Sequence, residues 1–103
     1  MEASLSIQIL PDTDSEAELL RIVDVVIRYI ESTGLHSFTA PFDTTIEGDF
    51  DTLCHILKRC HEIAVEEGAR GVSSNMKLYY TPEDKGGVLT IDEKITPYHQ
   101  SRI

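Results

Sequence analysis

Hydrophobic and polar residues alternate one by one near the start of the chain. Residues 4–10 carry leucine or isoleucine at positions 5, 7 and 9, and serine or glutamine at positions 4, 6 and 8. This alternation is typical of a strand that buries one side and exposes the other. We expect the strand to end at Pro11, which cannot donate a backbone hydrogen bond.

Two later segments carry apolar residues at helical spacing. Ser15 and Glu18 form a capping box at the start of the first, whose apolar residues recur every three or four positions until Gly34 ends it. Asp49 is well placed as the N-cap of the second, which runs to Gly68. The pattern therefore predicts two amphipathic helices.

The remaining segments predict strands, turns and a terminal element. We expect strands over 35–40 and 44–48, separated by a turn at 41–43, and a further strand that ends before Pro82. A loop follows over 83–87. Thr90 and Glu93 form another capping box, which predicts a short helix that Pro97 ends. A strand over 88–93 is the alternative interpretation.

The predicted order of elements is β-α-β-β-α-β, followed by a short C-terminal element. Four strands and two one-sided helices in this order favour an α+β, ferredoxin-like fold. Both helices would cover one face of an antiparallel sheet, with the first and third strands in the centre. The chain has 103 residues and no internal linker, so we expect a single domain over 1–103.

The face of the sheet opposite the helices is predicted to be polar. Six residues from the first, third and last strands would share it: Ser6, Gln8, Thr45, Glu47, Asn75 and Lys77. A polar face needs no further cause, since an antiparallel sheet can simply face water. The other reading is a site for a small heteroaromatic ligand, because amides and a carboxylate supply both donors and acceptors.

The composition narrows the range of partners. The formal net charge is −9, which argues against nucleic acid and against an anionic membrane surface as partners. The N-terminus resembles no signal peptide, and no apolar run is long enough to span a bilayer. With two cysteines, we expect a reducing, cytoplasmic setting.

The stretch "CHILKRCH", residues 54–61, suggests a metal site but does not have the spacing of one. Cys54 and Cys60 lie about 240° apart around a helix, so they cannot chelate an ion together. Cys60 falls on the apolar stripe and is predicted to be a core residue. The chain also lacks a nucleophile elbow and a phosphate-binding loop. We therefore expect no metal, no cofactor and no catalysis.

Three stretches carry a resemblance to a known family: "ASLSIQILP", "PFDTTIEGDFD" and "SSNMKLYY". Together they resemble the small thiamine-binding proteins with YkoF-like domains, over residues 3–96. The resemblance implies a ferredoxin-like subunit, a homodimer or homotetramer, and binding of thiamine or its pyrimidine precursor without catalysis. It places Thr45, Glu47 and Asn75 at the matching polar positions, with Ser6 as an addition on the first strand.

The chemistry of these residues suits an aminopyrimidine. Glu47 could accept from the exocyclic amine or from a protonated ring nitrogen, while Asn75 can donate and accept at once. Phe42 or Tyr79 could supply an aromatic face, and the thiazolium cation would favour an acidic surface. The alternative is an oligomeric interaction module without ligand, whose polar sheet face serves self-assembly. An enzyme that acts on a thiamine precursor is a weaker third hypothesis.

Overall fold

The computed structural model describes residues 1–99 of the chain. Its elements are β1 (Ala3–Pro11), α1 (Glu16–Ser32), β2 (Ser37–Thr39), β3 (Thr44–Gly48), α2 (Phe50–Glu66), β4 (Val72–Tyr80), a 3-10 turn (Glu83–Lys85) and α3 (Ile91–His99). This confirms the predicted βαββαβ order and the α+β class. Of the two readings of the terminal element, the helix is the one observed.

The four strands form one antiparallel sheet in the order β2-β3-β1-β4. This confirms β1 and β3 as the central strands. Ser6 stands opposite Thr45 on β3 and opposite Lys77 on β4, and Gln8 stands opposite Asn75. Because directly opposed residues share a face, the register fixes which side chains lie together.

The hydrophobic core lies between the sheet and the helices α1 and α2. Its members that are almost completely buried are Leu5, Ile22, Val26, Ile30, Ile46, Leu53, Ile56 and Cys60. They come from alternate positions of the strands and from the helical stripes, as the periodicity of the sequence requires. Cys60 is 0 % exposed, which confirms that it is a core residue.

The predicted helix caps are present. The hydroxyl of Ser15 accepts from the Glu18 N–H at 3.1 Å, and the Asp49 carboxylate accepts from the Thr52 N–H at 3.2 Å. Thr90 and Glu93 form the reciprocal box, with both bonds at 3.0 Å. These bonds satisfy N–H groups that a helix leaves unpaired in its first turn.

Pro97 does not end the last helix, contrary to the sequence prediction. It lies inside α3, which continues to His99. The ring removes one backbone donor, but its fixed φ is itself helical. The residues after Pro97 can therefore continue the helix for part of a turn. Among residues 1–99 no helix is both long and apolar enough to cross a membrane.

The last strand is less covered than the alternation predicted. Met76, Leu78 and Tyr80 lie on the helix side of β4, yet they are 49 %, 40 % and 47 % exposed. The two helices pack mainly over the central strands, so the edge strand extends beyond them. Tyr80 is covered in part by the ring of Phe50, with the ring centroids 4.5 Å apart.

Candidate functional site

The polar face of the sheet, turned away from α1 and α2, is called the outer face below. By the observed register it carries Ser4, Ser6 and Gln8 of β1, Thr45 and Glu47 of β3, and Asn75, Lys77 and Tyr79 of β4. The sequence prediction of which side chains share this face is therefore confirmed. Ser6 and Thr45 are directly opposed on the two central strands.

Asp43 joins this face beside Ser6. The Ser6 hydroxyl donates to the Asp43 carboxylate at 2.6 Å. Sequence reasoning assigned Asp43 to a turn and did not include it in the site. Its position two residues before Thr45 was the available signal, because residues at i and i+2 of an extended segment point to the same side.

Glu47 is buried on the outer face, with 9 % exposure. Its Oε2 accepts from the backbone N–H of Ile91, the first residue of α3, at 2.7 Å. The start of α3 therefore lies against this end of the outer face, which the sequence had predicted to be uncovered. His36 and Asp92 approach each other at 3.5 Å nearby.

Asn75 lies at the other end of the outer face. Its side-chain N–H donates to the amide oxygen of Gln8 at 3.1 Å. Glu47 is opposite Ser4 while Asn75 is opposite Gln8. The two levels are about 13 Å apart along β1 at about 3.3 Å per residue. A single pyrimidine ring cannot contact both Glu47 and Asn75, whereas a molecule with two linked rings spans more of that length.

Phe42 is separated from the other four predicted site residues. It is 80 % exposed at the turn between β2 and β3, and it lines a cleft on the helix side of the sheet. Ser6 and Thr45 meet on the outer face, and Glu47 and Asn75 lie toward its two ends. Phe42 lies outside this face, in the turn between β2 and β3.

The cleft that Phe42 lines has a volume of about 230 Å³ and is called the α1 cleft. Its walls are one side of α1, the second half of β1 and the segment 39–44. Most of the lining is aliphatic, including Ile9, Leu19, Val23, Ile27 and Ala40. Val23 and Ile27 belong to the apolar stripe that the sequence predicts for α1, but only the packing shows that they border an open space.

Charge is distributed unevenly between the outer face and the rest of the molecule. Arg21, Arg28, Arg59 and Arg70 each pair with one or two carboxylates on the helices and connecting loops. Hydrogen bonds and charge from Arg59 hold the pKa of Glu66 below its usual range. Asp43 and Glu47 instead accept from a hydroxyl and a backbone N–H, which are neutral donors. Lys77 forms no ion pair within residues 1–99.

Comparison with known proteins identifies the family. The family described as "Thiamine-binding protein" matches residues 5–99. The chain belongs to the thiamine-binding protein family. It is 46 % identical over 95 residues to the UPF0045 protein CPE1503 of Clostridium perfringens, covering 92 % of this chain and 95 % of that protein. This confirms the family resemblance inferred from the sequence.

Solved structures of two other proteins share the fold. A DUF77 domain of unknown function from Bacillus cereus superposes with a TM-score of 0.85 at 26 % identity, covering 98 % of this chain and 93 % of that one. TM0486 of Thermotoga maritima, provisionally assigned to thiamine biosynthesis or salvage, gives 0.81 at 26 % identity, with coverage of 95 % and 99 %.

A histidine–serine contact lies outside both the outer face and the α1 cleft. His61 Nδ1 is 2.7 Å from the Leu57 carbonyl oxygen, and Nε2 is 2.8 Å from the Ser74 hydroxyl. Because a carbonyl only accepts, Nδ1 carries a proton, and in the neutral ring Nε2 accepts from Ser74. Neither residue lines the α1 cleft, and their contact ties α2 to β4. No group of three or more potential metal ligands is gathered within residues 1–99.

Proposed function

We propose that this protein binds thiamine, through its aminopyrimidine and thiazolium rings, on the outer face and without converting it. The observation that carries the proposal is the row Asp43–Thr45–Glu47. Within residues 1–99 the hydrogen bonds to its two carboxylates come from neutral donors, so their negative charge is left for a cationic ligand. The family supports the choice of thiamine over other small cations.

In the proposed complex, different parts of the ligand contact different parts of the outer face. Thr45 and Ser6, which are opposed at the centre, supply hydroxyl groups beside the carboxylates. Glu47 accepts from the aminopyrimidine through the oxygen that Ile91 does not use, and Asn75 contacts the far end of the molecule. The distance between Glu47 and Asn75 favours thiamine over hydroxymethylpyrimidine alone, since a one-ring molecule reaches only part of the row.

The proposed role is a carrier, buffer or sensor in the cytoplasm. Both cysteines are unbridged, which suits a reducing compartment. A binding protein needs no nucleophile or acid–base pair in its site, and the outer face offers carboxylates, hydroxyls and amides in positions suited to recognition.

We further propose that the protein is a homo-oligomer that assembles through β4. This strand is a nine-residue edge, and its helix side leaves Met76, Leu78 and Tyr80 about half exposed. A long apolar edge is ordinarily covered, because its unpaired backbone groups recruit another strand. A second copy that pairs along β4 would cover it and would bring two outer faces next to each other. The exposed edge of β4 therefore favours a second candidate function, that of an oligomeric interaction module without ligand.

Calorimetric titration with thiamine and with hydroxymethylpyrimidine tests the ligand. Thr45→Val and Asn75→Ala are expected to weaken thiamine binding by about tenfold each, the loss expected for one hydrogen bond. Ser73→Ala, at the far end of the same face of β4, is the matched control and should leave the affinity unchanged. Absence of binding by either compound at millimolar concentration would overturn the proposed ligand.

Light scattering coupled to size-exclusion chromatography tests the assembly. Leu78→Lys should shift the mass toward that of a monomer, because it places a charge in the proposed contact. Leu89→Lys is the control, since Leu89 is also exposed but lies outside β4. A wild-type monomer at all concentrations, or equal masses for the two variants, would rule out assembly through this edge.

A further inference from the structure

Helix α3 is attached to the outer face mainly through its first residue. Ile91 is 3 % exposed, and its N–H donates to Glu47 at 2.7 Å. Of the side chains at 92–98, Ile95 is half-buried and the others are exposed. The attachment of α3 therefore depends largely on the buried side chain and the hydrogen bond of one residue.

The other interactions of the first turn leave α3 able to move as a unit. Thr90 and Glu93 cap the helix through hydrogen bonds within the same segment, so the cap moves with the helix. Asp92 approaches His36 at 3.5 Å, but both side chains are more than half exposed, and an exposed pair of this kind contributes little. Neither interaction fixes α3 firmly to the sheet.

Leu89 is the point about which α3 can turn. The residue before it is fixed, because the Val88 N–H donates to the Met1 carbonyl oxygen at 3.0 Å. Leu89 itself is 60 % exposed and forms no hydrogen bond within residues 1–99. A change in its backbone angles therefore moves α3 without disturbing the loop that precedes it.

The part of the outer face that meets the start of α3 is polar. Ser4 and Glu47 are directly opposed on β1 and β3, and they are 7 % and 9 % exposed. Within residues 1–99 the Ser4 hydroxyl forms no hydrogen bond, and Glu47 accepts through Oε2 alone. Buried polar groups ordinarily find hydrogen-bond partners. A hydroxyl and a carboxylate oxygen thus remain for a ligand beneath α3.

We propose that α3 is a lid over the Ser4–Glu47 end of the outer face, which opens about Leu89 to admit a cationic ring and then closes on it. Side chains less than a tenth exposed leave too little room for a ring to reach Glu47 until the start of α3 lifts. After entry Ile91 returns to Oε2, while the ligand uses the other oxygen and the Ser4 hydroxyl. The lid regulates the proposed thiamine site and rests on that function for its ligand.

A lid has a kinetic signature that a purely structural helix lacks. The observed association rate is the rate for the open form multiplied by the open fraction, so weakening the closed state speeds entry. The same change speeds release, because the closed lid retains the ligand. A helix that only supports the sheet gives faster release without faster entry when it is weakened.

Amide hydrogen exchange of the ligand-free, ¹⁵N-labelled protein tests the opening itself. The Ile91 N–H should exchange about a hundredfold faster than that of Leu5, which is 0 % exposed and paired on both sides in the sheet. Low concentrations of urea should accelerate exchange at Leu5 but not at Ile91, since a local opening exposes little surface. Exchange of Ile91 in step with Leu5 at every urea concentration would overturn the lid.

Line-shape analysis of NMR titrations with thiamine tests the gating. Ile91→Ala keeps the backbone N–H but removes most of the buried side chain, so it should raise both the association and the dissociation rate by about tenfold. Thr96→Ala, at an exposed position of α3, is the matched control and should leave both rates unchanged. Faster dissociation from Ile91→Ala without faster association would refute the gating.

The outcomes keep the lid and the proposed function apart. Thiamine binding with unchanged rates in Ile91→Ala, together with Ile91 exchange in step with Leu5, would refute the lid and leave the site intact. Absence of thiamine binding would refute the proposed function. Fast, urea-independent exchange of Ile91 would then still support the lid, and exchange in step with Leu5 would refute it. The exchange experiment uses the wild type, so it decides even if Ile91→Ala does not fold.

Discussion

Glu47 on β3 accepts the first backbone N–H of α3, from Ile91, at 2.7 Å. The two residues are 44 positions apart, and both are buried. A carboxylate at a helix N-terminus satisfies an unpaired donor and interacts favourably with the helix dipole. The buried acid of the strand thus has a structural partner, and the same residue lies in the proposed thiamine site.

Two substitutions of Glu47 separate these roles. Glu47→Gln keeps an oxygen that can accept from Ile91 but removes the charge. It should therefore weaken thiamine binding clearly while lowering the melting temperature only slightly. Glu47→Ala leaves the Ile91 N–H without its acceptor and should reduce the free energy of unfolding by about 1 to 3 kcal/mol. Calorimetric titration and urea unfolding measure the two effects. Unchanged thiamine affinity in Glu47→Gln would remove the Glu47 charge from the site.

The two cysteines should differ in reactivity. Burial raises the pKa of the Cys60 thiol to about 11, while Cys54 is exposed. Since the thiolate is the reactive form, iodoacetamide at pH 8 should label Cys54 and leave Cys60 unmodified until denaturant is added. Mass spectrometry of the digested protein gives the labelled positions. Rapid labelling of Cys60 in the folded protein would contradict its place in the core.

Gly87 should tolerate no side chain. Its φ is +67°, and a Cβ at this position would lie 2.6 Å from the Met1 carbonyl oxygen, which accepts from Val88 at 3.0 Å. Gly34 has a similar φ of +76° with open space around it, so Gly34→Ala is the control for backbone strain, about 1 to 2 kcal/mol. Gly87→Ala should lower the melting temperature further. An equal loss in both variants would mean that Met1 moves away freely.

The cap of α2 should contribute to stability in a pH-dependent way. Hydrogen bonds from the side chain and backbone of Thr52 hold the pKa of Asp49 below its ordinary value of 3.8. A lowered pKa in the folded state means stability that is present above the unfolded value and lost as the pH falls through the folded value. Wild type should therefore melt above Asp49→Asn at pH 7. The difference should shrink below about pH 4, which scanning calorimetry across this range measures.

Local chemistry was sufficient to predict most of the fold. Each of these signals arises between residues that are close in sequence. They are the alternation in β1, the apolar stripe of α1 and the capping residues Ser15, Asp49 and Thr90. These effects depend on fixed periods of 2 and 3.6 residues. The family resemblance was equally local, since it rested on short stretches such as "PFDTTIEG". The prediction that Pro97 ends the last helix was wrong because a proline raises the free energy of a helix without forbidding it, and the other interactions of the helix can offset that cost.

The distribution of the site residues depended on contacts between distant segments. The sequence placed Ser6, Thr45, Glu47 and Asn75 on one face, but it could not show that Glu47 and Asn75 lie at opposite ends of it. That distance follows from the register of two strand pairs. The contact of Ile91 with Glu47 depends on where α3 returns to the sheet, which no local pattern encodes.

The sequence by itself determined the order of the elements, the side chains that share a face and the family to which the chain belongs. Tertiary structure alone decided that β3 begins level with Ile7 while β1 continues to Pro11, and so opened the α1 cleft beside Ile9. The physical reason is the range of the interactions. Side-chain direction alternates with the backbone of a single strand, whereas an unpaired N–H and C=O appear only when a neighbouring strand stops short.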